Sequence, residues 1–96
     1  MTVKDKYLAV MELNDLAKRT NRHLEQLDDL IDDAYTRIDE NGGVDSTDRI
    51  VVELKSQIVE WNRERTRLED LLEDTYIRID KFQDQIDEVL VSVYKS

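Results

Sequence analysis

The sequence predicts an all-α fold: a long antiparallel helical hairpin of coiled-coil type, closing into a four-helix bundle as a homodimer. Three observations predict it. The 96 residues contain no proline, and the only two glycines, Gly42 and Gly43, are adjacent. A β-rich fold needs turn residues at every reversal, and this chain has them at one place only. On both sides of that place, apolar residues recur at alternating steps of three and four.

The first helix is expected over about residues 3–40. Its seam runs Val10, Leu13, Ala17, Thr20, Leu24, Leu27, Ile31, Ala34 and Ile38, apolar at eight of nine positions. Leu16 and Leu30 flank this seam and widen it toward a bundle-type face. Thr2 followed by Asp5 resembles a capping box, in which two side chains reciprocally satisfy free amides of the first turn.

The loop is expected over about residues 41–45. Asn41 and Gly42 suit the left-handed position that closes a helix. Asp45 or Ser46 suits the next N-cap, with Asp48 in the first turn.

The second helix is expected over about residues 46–94. Its seam runs Val51, Leu54, Ile58, Trp61, Arg65, Leu68, Leu72, Thr75, Ile79, Phe82, Ile86, Val89 and Val93, apolar at eleven of thirteen positions. Ile50, Leu71, Tyr76 and Leu90 widen this face. At ~1.5 Å per residue the two helices would be roughly 55 Å and 75 Å long. The whole chain is one helical-hairpin domain on this reading.

The chain also repeats itself. Asn21-Arg22 and Leu27 to Asp39 recur at an offset of 41 as Asn62-Arg63 and Leu68 to Asp80, with ten of fifteen pairs identical. Duplication of one helical unit explains this, as does selection of similar residues by similar seams. Two copies are too few for a solenoid.

Charge favours an antiparallel pairing, with residue i opposite about 87 − i. Residues 25–40 hold seven acids and one base, and would face residues 47–62, with three acids and two bases. A parallel pairing would set this acidic block against residues 69–83, which hold five acids and two bases. In the antiparallel register helix two outruns helix one by roughly a dozen residues. That overhang carries Ile86, Val89, Leu90 and Val93. An apolar overhang calls for another chain, and a two-fold homodimer is the simplest closure, with a different partner protein as the alternative. The interface is expected at Trp61, Leu68, Leu72, Ile79, Phe82, Ile86, Val89, Leu90 and Val93.

Composition excludes several function classes. Without cysteine there is no disulfide framework, thiolate zinc site or cysteine nucleophile. No apolar run approaches the ~18 residues of a membrane span. Met1 to Lys6 lacks the apolar core of a signal peptide, so a cytoplasmic protein is expected. A net charge of −9 disfavours nucleic acid and anionic membranes as direct partners.

The residues that could carry chemistry are few. Asp28-Asp29-Leu30-Ile31-Asp32 spells DDxxD, and Glu69, Asp70, Glu73 and Asp74 form a similar cluster. Carboxylates at i, i+3 and i+4 share a helix face and can hold Mg²⁺. Prenyl-transfer enzymes that use such a pair need an apolar cavity larger than this chain can build. All-α nucleotide pyrophosphohydrolases use a strict ExxE pairing, which is not met. Asp28, Asp29, Asp32, Asp33, Glu69, Asp70, Glu73 and Asp74 therefore read first as an acidic solvated surface, with no metal or cofactor expected. The single histidine, His23, flanks Thr20, and the hairpin would set both near Arg65. Thr20, His23 and Arg65 are expected to form a polar layer that fixes register. Tyr76 and Asp80 spell YxxxD, which resembles a secreted helical-hairpin family of about this length. That family carries Trp-x-Gly in its central loop, whereas Trp61 lies well inside helix two here, so the resemblance stops at size and shape.

The leading expectation is a non-enzymatic interaction module acting as a scaffold, assembly or adaptor element. The alternative is an acidic inhibitor of the DNA-mimic type, presenting carboxylates to a basic protein surface. A small metal-dependent nucleotide hydrolase stands third.

Overall fold

The computed structural model describes residues 2–95. It is all-helical, with α1 at Val3–Glu40 and α2 at Arg49–Lys95 forming an antiparallel hairpin. Each boundary has a local cause. The Thr2 amide donates to Asp5 Oδ2 and the Asp5 amide donates to Thr2 Oγ1, both at 3.2 Å, which is the reciprocal capping box. At the other end of α1 the Gly43 amide donates to the Ile38 carbonyl at 2.8 Å. This six-to-one bond is the Schellman closure, and it needs left-handed backbone at the glycine pair. Gly42 and Gly43 have φ of +107° and +83°.

The second helix begins three residues later than the spacing predicts. The expected N-caps, Asp45 and Ser46, lie outside it. Ser46 Oγ accepts from the Asp48 amide, and Asp48 Oδ1 accepts from the Ile50 amide at 3.1 Å. Asp48 is thus the N-cap, satisfying the second amide of the helix. The loop lengthens because two successive side chains step the chain into α2. Periodicity does not reveal this, since Asp45, Ser46 and Asp48 are all competent caps.

Packing divides the hairpin into two compact units. The turn unit, Arg22–Glu69, contains the loop and the adjoining halves of both helices. Ile31, Ala34, Ile38, Val51 and Ile58 form its core, with Leu54 and Trp61 packed against it. Leu27 and Leu68 are buried in the same unit. The terminal unit comprises Met1–Asn21 and Asp70–Ser96. It buries Val10, Ala17 and Ile86, together with two threonines, Thr20 and Thr75.

The seam is as the spacing predicts across both helices. All nine α1 seam positions are buried or half-buried, as are the eleven α2 positions from Val51 to Ile86. The register along the seam differs from the symmetric reckoning. Arg65 pairs with Asp28 rather than lying opposite residue 22, and Tyr76 meets Asn21 rather than residue 11. Both contacts shift in the same direction, which the longer loop partly accounts for. The consequence falls on Ile86. It was expected in an unpaired overhang, and instead it is 0% exposed within a single chain. The part of α2 without a buried face begins only beyond Ile86.

Candidate protein interaction surface

The residues expected at an interface fall into three groups. Leu68 and Ile86 are buried inside the chain. Trp61, Leu72, Ile79 and Phe82 are half-buried along the seam. Val89, Leu90 and Val93 are exposed. Only this last group presents an open apolar surface, and the sequence missed two of its neighbours. Val91 is 51% exposed and Tyr94 is 91% exposed. Tyr7, Leu8 and Met11, near the start of α1, are also exposed in the same unit. The signal for Val91 and Tyr94 was in the sequence, since both are large apolar residues off the seam, where a hairpin has nothing to cover them.

The terminal unit also contains a groove. Its lining is Ala9, Leu13, Leu16 and Phe82, with Glu12, Arg19 and Arg78 among them. The four apolar residues are half-buried, so each keeps part of its surface in water. Arg78 also reaches Asp74 one turn earlier on α2 at 3.1 Å. A second groove, in the turn unit, is lined by Tyr35, Ile38, Val44, Lys55, Ile58, Val59 and Asn62.

Of the polar residues expected in one layer, Thr20 belongs to the terminal unit and His23 and Arg65 to the turn unit. Thr20 is buried, and its hydroxyl donates to the Leu16 carbonyl at 2.8 Å. His23 is exposed, because the seam steps by four from Thr20 to Leu24 and leaves His23 on its flank. Arg65 is half-buried on the seam, in the turn unit. Its Nε lies 3.1 Å from Asp28 Oδ1 and 3.2 Å from Glu69 Oε1. Asp28 and Glu69 are repeat-equivalent positions, so one arginine sits between the two matching acids of the duplicated pattern. Thr75 was not anticipated as a buried polar residue. It is 2% exposed, and its hydroxyl donates to the Leu71 carbonyl at 2.7 Å. Both threonines satisfy themselves on their own helix, so neither hydroxyl needs a partner across the seam.

The repeat also leaves its mark on side-chain pairing. Asp33 pairs with Arg37 at 3.2 Å in one copy, and Asp74 with Arg78 at 3.1 Å in the other. Asn21 Nδ2 donates to Tyr76 Oη at 3.3 Å in the terminal unit. Their repeat mates, Asn62 and Tyr35, line one groove in the turn unit.

The acidic residues are placed as an outward surface. Asp28, Asp33, Glu69 and Asp74 each hold an ion pair. Asp29, Asp32, Asp70 and Glu73 are exposed and form no ion pair among the described residues. Among the described residues no group of three or more histidine, aspartate or glutamate side chains converges to hold a metal ion. No helix is long and apolar enough to cross a membrane. No protein-family model, curated protein or solved structure significantly matches the chain.

Proposed function

We propose that this chain is a non-enzymatic helical interaction module that associates with a second copy of itself and acts as a scaffold or assembly element. The observation that carries this reading is the run of exposed apolar side chains at the end of α2: Val89, Leu90, Val91 and Tyr94. Single exposed apolar residues are ordinary on a protein surface, but several within two helical turns mark an interaction site. The heptad seam adds weight, since seams of this kind extend readily into bundles of more than two helices. Burial of these residues, at about 25 cal/mol per Å² of apolar surface, supplies the drive for association. Light scattering coupled to size-exclusion chromatography tests the reading. The chain should elute at the mass of two copies at tens of micromolar, and a single-copy mass there would refute self-association.

A second reading rests on Asp29, Asp32, Asp70 and Glu73, four exposed carboxylates of the repeated acidic clusters that form no ion pair among the described residues. It makes the protein an acidic inhibitor that occupies a basic protein surface in place of nucleic acid. Carboxylates spaced like duplex phosphates would serve this purpose. A pull-down at low and at high salt tests it. A nucleic-acid-binding protein retained at low salt and released at high salt is the expected outcome, and salt-insensitive capture would argue against mimicry.

A further inference from the structure

We infer that the groove formed by Ala9, Leu13, Leu16 and Phe82 receives the end of α2 from a second copy of the chain. The inference rests on the self-association proposed above and names the two surfaces that meet. Charge is the first argument. The protein carries a net charge of −9, yet the groove places two arginines, Arg19 and Arg78, beside an apolar floor with one acid, Glu12. The end of α2 has the opposite character. Asp84, Asp87, Glu88 and Val91 share one helix face there, and Leu90 and Tyr94 stand exposed beside them. An apolar segment flanked by carboxylates thus faces an apolar floor flanked by guanidiniums. Arginine suits this role, since its planar fork pairs with carboxylates while its stem covers apolar surface.

Covalent continuity is the second argument. The end of α2 is helical through Lys95, and Arg78 and Phe82 belong to that same helix. A continuous helix cannot fold back onto its own flank, so an α2 end seated in the groove belongs to a second copy. Each copy offers one groove and one helix end, so a single contact used twice closes a dimer without leaving an open surface.

The chain has no cysteine, which makes the test direct. A chain carrying Glu12→Cys is mixed with a chain carrying Val91→Cys under mild oxidation. Both positions are exposed, so neither change empties the core. A disulfide-linked pair of the two different chains is the expected product. Replacing Val91→Cys with Ile50→Cys, beside the loop, should give little of it. Charge reversal supplies the second arm. Arg19→Glu with Arg78→Glu should weaken self-association about tenfold or more, as should Asp87→Arg with Glu88→Arg, and mixing the two variants should restore it. Circular dichroism on each variant checks that the helices persist. A dimeric wild type with no preferential 12–91 cross-link and no charge-swap rescue would overturn the groove assignment while leaving self-association intact. A monomeric wild type would overturn both.

Discussion

The two packing units of this hairpin use the same heptad seam to different ends. The turn unit fills its seam with Leu27, Ile31, Ala34, Ile38, Val51, Ile58 and Leu68, and it closes on itself around a capped loop. The terminal unit fills its seam with Val10, Ala17, Thr20, Thr75 and Ile86. Alanine and threonine bury less apolar surface than leucine and isoleucine, so the terminal unit has less holding it together per residue. Most of the large apolar side chains left exposed belong to it as well, among them Tyr7, Leu8, Met11, Leu90, Val91 and Tyr94. The difference is one of degree, since the turn unit also leaves Leu30, Tyr35, Val44, Ile50, Val52 and Val59 exposed. A coiled-coil seam is therefore not a uniform stabiliser.

This contrast can be broken from the turn side with the largest effect. Ile38 is 0% exposed and sits in the turn-unit core. Ile38→Ala should cost about 3 kcal/mol in urea unfolding, through lost transfer energy and a residual cavity. Gly42→Ala should cost about 1–2 kcal/mol, since alanine resists positive φ. Its Cβ would also meet Ser46 Oγ at 3.2 Å. Asp48→Ala removes the N-cap of α2 and should cost about 1 kcal/mol. The smallest effect belongs to Arg65→Ala. Its two ion pairs involve side chains that are roughly half exposed, so a loss of no more than about 0.5 kcal/mol is expected. A loss above that would mean that the Asp28–Arg65–Glu69 contact fixes the register rather than decorating it. In the terminal unit the sensitivity should reverse. Leu90→Ser with Val91→Ser should leave the unfolding of the isolated chain within about 0.5 kcal/mol and act on association instead.

The sequence made the seam legible because a period near 3.5 survives every local detail. Thirteen positions from Val51 to Val93 were enough to place α2. The capping box at Thr2 and Asp5 was legible for a similar reason, since it needs only two residue types at one spacing. The start of α2 was not, because Asp45, Ser46 and Asp48 are all competent caps and only the backbone path decides among them. Register was not legible either. It depends on loop length and on which side chains meet across the seam, and an error of a few residues moved Ile86 from a presumed free end into the core. His23 is exposed because the seam steps by four from Thr20 to Leu24, a choice between steps of three and four that a list of polar residues does not reveal. For the interaction surface, Val89, Leu90 and Val93 were readable as the tail of the seam, while Val91 and Tyr94 lie off it.

On the proposed reading, the apolar end of α2 is covered by a second copy of the chain. Sedimentation velocity on the wild-type chain and on the Leu90→Ser/Val91→Ser variant, each across a concentration series up to tens of micromolar, tests it most directly. The account predicts a wild-type species of two chains and a variant that sediments as one chain while remaining helical. A wild type that stays a single chain throughout, or a variant that dimerises as well as the wild type, would contradict it.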